Sequence, residues 1–368
     1  MPGSFLDYEG NSIRMPITDF KVRGITINIH AMPCTNFCKH CWAQGSPKKR
    51  RMLLEQILFV LEKVAELKDC FPTVGFFFLD EPTNHPHFVE IIERASELGL
   101  LGGECFISTN GSILSRAPDE VWVRLKKAGV QWLQLTLYGL ERTHDEFARR
   151  QGAFRDVIIT AKRATEYGIR WWLGVIFHRD NAHELAETTE YAKSLDPSGE
   201  ADIGWYTFLW QGRGRTAKRP RAKDYALLPD SLKGECWVEE REGVRKILES
   251  PDLSARRADE SFCPYLGLEV DQDLRVFCGG ACDSGGIAGA VPELREDFAL
   301  GHLGEEGFLP LLESYQHEPP RVIQLLSEVT WGELAERYGD ETNDEIYHLT
   351  DLPLHKWAAQ FLLEESGR

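Results

Sequence analysis

Cys34, Cys38 and Cys41 stand in one short stretch with the spacing C-x-x-x-C-x-x-C. Three thiolates on one loop can hold three corners of an iron–sulfur cube and leave its fourth iron without a protein ligand. An open iron is a place where a small molecule can bind and receive an electron. A structural zinc site ordinarily wants four ligands, commonly two C-x-x-C pairs. His40 could supply a fourth ligand, but its place between Cys38 and Cys41 would strain a tetrahedron. The remaining reading is a chance cluster of core cysteines, since free cysteine buries readily.

The elements that must position these thiols follow a strand–helix rhythm from about residue 22 to 210. Gly24–His30 reads as a strand ending just before the cysteine loop. Leu54, Ile57, Leu58, Leu61 and Val64 then recur at helical spacing. Further strands are expected at Val74–Leu79, Glu104–Ser108, Trp132–Tyr138, Trp171–Phe177 and Ile203–Leu209. Helices are expected through 88–92 and near 118–128, 154–167 and 182–194. Six repeats whose strands read as apolar on both faces imply a parallel sheet with helices outside, and ligands at the strands' carboxyl ends. The polar residues fall at that rim: the cysteines after strand one, Asp80-Glu81-Pro82-Thr83 after strand two, Ser108-Thr109-Asn110-Gly111 closing strand three, Tyr138-Gly139 closing strand four, and Gly212-Arg213-Gly214-Arg215 after strand six.

The whole composition is that of an ordinary globular chain. It has 368 residues, 42% hydrophobic and 27% charged, enough for a barrel-sized domain and a smaller one. Its 42 basic and 58 acidic residues give −16, which argues against nucleic acid as a main partner. The basic runs Lys48–Arg51 and Arg213–Lys223 read as solvated loops, the second with the alternative of receiving an acidic substrate group. No signal peptide and no apolar stretch near the ~20 residues of a membrane span are seen. Nine cysteines then suit a reducing compartment, and the expected location is cytoplasmic.

The cysteine loop after strand one of a six-fold βα repeat resembles the radical S-adenosylmethionine (radical SAM) enzymes. Phe78-Leu79-Asp80-Glu81-Pro82-Thr83-Asn84-His85-Pro86 is similar to the family's Gly-Gly-Glu-Pro segment with both glycines replaced. The resemblance implies a partial (β/α)6 TIM-like barrel over 21–215, after a lead-in over 1–20. It also implies a [4Fe–4S] cluster on Cys34, Cys38 and Cys41, chelated at its open iron by the amino and carboxylate groups of SAM. One electron, from a donor such as flavodoxin or ferredoxin, would cleave the sulfonium, and the 5′-deoxyadenosyl radical would abstract hydrogen from a substrate. By the same resemblance Glu81 grips the methionine ammonium and Ser108 and Asn110 form the polar turn ending strand three. Thr136 takes a ribose-contacting position, Arg150 meets the SAM carboxylate in preference to Arg149, and His40 lies beside adenine. Three of these have a plainer alternative: a solvated carboxylate for Glu81, a β-forming threonine for Thr136 and an exposed loop histidine for His40.

After about residue 215 the rhythm stops. Leu266–Phe277 reads as a hairpin with its turn at Asp271-Gln272-Asp273, flanked by Cys263, Cys278 and Cys282. This resembles the twitch or SPASM extensions of the family, a small α+β auxiliary-cluster domain expected over 216–310. A second iron–sulfur cluster is implied there, with Cys236 as a candidate fourth ligand or an iron open to substrate. The hairpin glycine and the later SPASM cysteines are missing, and buried thiols are the alternative. Cys70 and Cys105 are expected in the core. Residues 311–368 are expected to be helical, with apolar stripes at Trp331, Leu334 and Tyr338 and at Trp357, Phe361 and Leu362.

The leading expectation is therefore an enzyme acting on a small molecule or a peptide. The absence of a leader-binding segment before residue 20 favours a small molecule or a substrate recognised by the barrel. A zinc or electron-transfer protein and a SAM-binding chain without turnover remain the alternatives.

Overall fold

The computed structural model of the chain describes residues 24–41, 43–101, 106–196, 199, 201–233, 237–259, 265–281, 291–348 and 351–367. Cys105, Cys236, Cys263 and Cys282, and the lead-in 1–20, lie outside them.

The six expected strands form, each followed by helical structure: β1 (Gly24–Ile29), α1 (Leu54–Glu66), β2 (Val74–Phe78), α2 (Phe88–Glu97), β3 (Phe106–Ser108), α3 (Asp119–Lys127), β4 (Trp132–Leu137), α4 (Glu141–Ala148), α5 (Ala153–Glu166), β5 (Arg170–Phe177), α6 (Leu185–Ser194) and β6 (Asp202–Thr207). The helix α4 is an addition to the sequence reading. All pairings among these strands are parallel. The ladder is interrupted between β2 and β3, which sit in separate sheets. The rings of Phe77 and Phe106 meet across that break at 4.9 Å.

Strands β2 and β5 are apolar on both faces, but not every strand is. In β4, Leu133, Leu135 and Leu137 are fully buried, while Trp132, Gln134 and Thr136 alternate with them and are half-buried. Period-two alternation puts the first set against the helices and the second on the inner face of an open barrel. In β1, Ile25, Ile27 and Ile29 take the helix side. There they meet helical stripes such as Ile57, Val60, Leu61 and Val64 of α1. Each such side chain contributes about 1.5–3 kcal/mol when fully buried.

The C-terminal hairpin joins this architecture directly. Strands β8 (Tyr265–Val270) and β9 (Arg275–Ala281) pair antiparallel, and β8 adds in parallel to the free side of β1, Gly24 opposite Tyr265 and Ile29 opposite Val270. Region 216–310 thus shares a sheet with the barrel, in the order β10-β9-β8-β1-β2, where β10 is Ala299–His302. The turn lies where the sequence places it: Asp271 Oδ1 accepts from the backbone N–H of Asp273 and Arg275.

The last segment is not wholly helical. Helices Leu309–His317, Arg321–Ser327, Trp331–Tyr338 and Ala358–Glu365 are joined by β11 (Ile346–His348), which pairs antiparallel with β7 (Trp237–Glu239). Trp331, Leu334, Trp357 and Leu362 are buried as their spacing requires, and Thr330 and Glu333 close a capping box at Trp331. Cys70, expected in the core, is exposed at the end of a short 3-10 turn after α1.

Candidate functional site

The cysteine loop runs from the end of β1 to α1 and is fixed on two sides. Backbone N–H groups of Phe37 and Lys39 donate to the carbonyls of Ala148 and Phe147 at the end of α4. From the segment after β6, Arg213 donates Nε to Cys38 O and Nη2 to Gly45 O, each at 2.8 Å, and its backbone N–H to Cys41 O. One planar fork thereby ties two carbonyls of the loop together. Gly214 follows because a Cβ there would collide with Leu209 O and press on His40 O.

Each thiol has a donor close by. Asn110 Nδ2 lies 3.4 Å from Cys34 Sγ, the Tyr138 hydroxyl 3.6 Å from Cys38 Sγ, and the Gly45 N–H 3.2 Å from Cys41 Sγ. A Cβ on Gly45 would stand 3.6 Å from the Sγ atoms of both Cys34 and Cys41, so the glycine keeps space beside two sulfurs. Burial pushes the Cys38 thiol up to about 11, with Cys41 as a second cause, and raises Cys34 and Cys41 as well. Such a site disfavours bare thiolates, and a cationic metal centre reverses that preference. Among the described residues no three His, Cys, Asp or Glu side chains converge as the ligands of a single ion. Thiols that each bind a different iron of a cluster have no need to.

Glu81, directly after β2, is 1% exposed. Its Oε1 accepts from Thr83 Oγ1 at 2.5 Å and Thr109 Oγ1 at 2.7 Å, and its Oε2 from the Asn110 N–H at 2.6 Å. Burial raises its pKa, and these three donors oppose the rise. Glu81 forms no ion pair among the described residues, so the site holds a buried carboxylate with neutral donors and room in its chemistry for a cation. Asn110 is the joint of the site, because it also reaches Cys34 Sγ and, at 3.0 Å, Thr35 Oγ1.

The other expected residues divide. Arg150 donates Nε to Asn36 Oδ1 of the cysteine loop and pairs through Nη1 with Asp156 at 2.7 Å, while its buried Nη2 has no partner among the described residues. Arg149 instead lies over the Phe37 ring. His40 is packed against Tyr138, Phe147 and Phe208, with ring centroids 5.0, 5.4 and 6.2 Å away, and is not an exposed loop side chain. Burial lowers its pKa to about 3, so it serves as a neutral ring. Ser108 gives its hydroxyl to Gln134. Thr136 stands on the inner face of β4, opposite Gly174, apart from the Glu81–Asn110 group. Cys278 is fully buried, its Sγ 3.4 Å from Phe298 O, and burial pushes its thiol up to about 12.

Two groups were not anticipated. Lys49, read as part of a solvated run, turns inward: its Nζ donates to both Asp80 oxygens at 2.9 and 3.0 Å and to Ala43 O. His30 joins them through Nδ1 and reaches Glu269 of β8 with Nε2 at 3.1 Å. Asp80 therefore has an internal counter-ion; its place beside Glu81 was the available signal. Most of the Arg213–Lys223 run is also engaged, Arg219 being buried against Asp351 and Arg215 paired with Glu293. The second group surrounds the Tyr138 backbone, whose N–H donates to His144 Nδ1 and whose carbonyl accepts from His178 Nε2 at 2.7 Å and Asn181 Nδ2.

Residues 29–192 match the model of the radical SAM superfamily. The chain is 25% identical over 309 residues to the sporulation killing factor maturation protein SkfB of Bacillus subtilis (strain 168), covering 80% of this chain and 65% of that protein. It is 25% identical over 183 residues to Fe-coproporphyrin III synthase of Methanosarcina barkeri (strain Fusaro / DSM 804), covering 49% and 43%. The chain thus spans under two thirds of either relative. Among solved structures it shares the fold of native anSMEcpe with bound AdoMet (that is, SAM), with a TM-score of 0.57 at 15% identity over 93% of this chain and 97% of that one.

Proposed function

We propose that the chain is a radical SAM enzyme that uses a [4Fe–4S] cluster and SAM to modify a peptide, a reading supported by the match of residues 29–192 to that superfamily's model. Cys34, Cys38 and Cys41 would hold the cluster. When bound, cluster and SAM supply one-electron cleavage of the sulfonium to methionine and a 5′-deoxyadenosyl radical, which takes a hydrogen atom from substrate. The chain's own residues bind, orient and enclose. Glu81 offers its buried charge to the methionine ammonium, a contact stronger there than in water. Asn110 keeps that carboxylate in register with Cys34. The free Nη2 of Arg150 is the donor available to the SAM carboxylate. Neutral His40, with Tyr138 and Phe208, forms an apolar wall suited to adenine, and Thr136 and Ser108 line the inner face of the barrel.

One observation carries this reading: a buried carboxylate without a cation is hydrogen-bonded, through Asn110, to the loop that carries three thiols. The peptide is favoured over a small molecule because SkfB, a maturation protein, aligns with most of this chain. A small-molecule substrate is the second reading, and the synthase relative supports it. A second cluster on Cys263, Cys278 and Cys282, its fourth iron held by Cys236 or open to substrate, is proposed beside the hairpin whose register pairs Leu268 with Cys278. Cys70, exposed and in no disulfide among the described residues, favours a reducing compartment, the cytoplasm.

Anaerobic reconstitution with iron and sulfide, reduction, and addition of SAM should yield 5′-deoxyadenosine. Cys38→Ala should abolish it together with the site's iron. Stoichiometric zinc in the purified chain would favour the metal-protein alternative, and SAM binding without deoxyadenosine the non-turnover one.

A further inference from the structure

The proposed chemistry consumes one electron per SAM, and the chain must receive it from outside. Between its first two cysteines the loop exposes an aromatic ring through which that can happen. Phe37, between Cys34 and Cys38, is 37% exposed, and guanidinium groups lie over its ring: Arg213 at 4.0 Å and Arg149 at 5.2 Å. Lys39, next to Cys38, lies 5.7 Å from the Phe147 ring centroid. Arg213 spends Nε and Nη2 on the loop carbonyls, whereas Arg149 and Lys39 make no side-chain hydrogen bond among the described residues and can meet carboxylates.

The charge balance at this spot is the reverse of the chain's. The chain carries −16, yet Lys39, Arg149 and Arg213 form no ion pair among the described residues. Other arginines near the site are neutralised, Arg150 by Asp156, Arg50 by Asp273 and Arg215 by Glu293. Of the carboxylates on α4, Asp145 is committed to the N–H groups of Gly152 and Phe154 at the start of α5. Glu141 pairs with Arg155, which leaves exposed Glu146 as the opposing charge of that helix. Glu81, Asn110 and the inner face of β4 approach the loop from other elements, and none of their described hydrogen bonds or ring contacts involves Phe37.

We infer that Phe37, Lys39, Arg149 and Arg213 form the docking face for an acidic one-electron carrier protein that reduces the cluster through this loop. An apolar ring flanked by unpaired cations suits a small, transient interface in which charge steers the encounter. The inference rests on the proposed cluster chemistry. An anionic peptide substrate is the competing occupant.

The test compares reductants on the full reconstituted chain. The variants are Lys39→Gln with Arg149→Asn, and Arg149→Asp; Asn and Asp tolerate the left-handed conformation of residue 149, where φ is 54°. Deoxyadenosine formation is followed with photoreduced deazaflavin, an uncharged reductant, and with reduced flavodoxin. Oxidation of the flavodoxin by the cluster is followed separately by flavin absorbance without SAM. Both variants should lower the flavodoxin rate at least about tenfold and flatten its dependence on ionic strength. The deazaflavin rate and the iron content should stay within twofold. Equal loss in both arms, or no loss in either, would overturn the docking face. A loss seen only when peptide is present, whichever reductant is used, would reassign it to substrate. The absorbance measurement reads docking even if SAM is not cleaved, so failure of the inference and failure of the proposed function give different results.

Discussion

Replacing Glu81 with glutamine takes one negative charge from the interior and leaves its shape in place. The amide can be accommodated: its oxygen can accept from the Asn110 N–H, and its nitrogen can donate to Thr83 and Thr109, whose hydroxyls accept as well as donate. The iron-free chain should therefore keep its stability or gain some, because burial without a counter-ion disfavours the charged form. The sign follows from linkage. A carboxyl whose folded pKa is raised holds a proton that the unfolded chain has released, so wild-type stability falls as pH rises above the ordinary carboxylate range. Glutamine should remove that slope, as urea unfolding at pH 5 and pH 8 would show. SAM should suffer the opposite change. Loss of a buried charge-assisted contact to an ammonium costs about 2–3 kcal/mol, roughly 30- to 150-fold in affinity. Equilibrium dialysis of SAM against the reconstituted chain measures it directly. SAM affinity within threefold of wild type, with a destabilised iron-free chain, would refute the reasoning and make Glu81 a structural hydrogen-bond hub.

Arg213→Lys should lower retained iron to below half of wild type, because an ammonium cannot bridge Cys38 O and Gly45 O while stacking on Phe37; iron and sulfide analysis after gel filtration checks this. The iron-free fold should weaken in mild acid through His144 and His178, which burial holds at about 3 and about 4. Their folded pKa values lie below the unfolded one, so their contribution is present above about pH 6.5 and is lost as pH falls. Between pH 6.5 and pH 5 each should cost about 1.5 kcal/mol in urea unfolding. An NMR titration of either ring centred near 6.5 would contradict it.

What was legible in the sequence is what local pattern encodes. The strand of Ile25, Ile27 and Ile29, the stripe of α1 and the cysteine spacing are each readable within a dozen residues, and the site's place at the strand ends follows from them. The turn of the C-terminal hairpin was legible for the same reason. What escaped depends on distant partners. Lys49 sits in a basic run and looks solvated until Asp80 and His30 come beside it. Arg213 looks like part of a basic loop until the cysteine loop folds against it. The partial exposure of one strand face could not be seen because Trp132 and Thr136 are ordinary β-formers wherever they point. The interruption between β2 and β3 has no local signal, since both are short apolar runs.

The parallel pairing of β8 with β1 has a consequence for how the chain is made. The strand that leads into the cysteines acquires its second neighbour only from residues 265–270, and His30 meets Glu269 across a sequence separation of 239. During synthesis the first strand must wait, with one edge open, until nearly three quarters of the chain has left the ribosome. Contacts so distant in sequence form late and slow folding. Iron should therefore enter a finished chain, and a nascent one truncated before the hairpin should present an unpaired β1 edge prone to association with other strands.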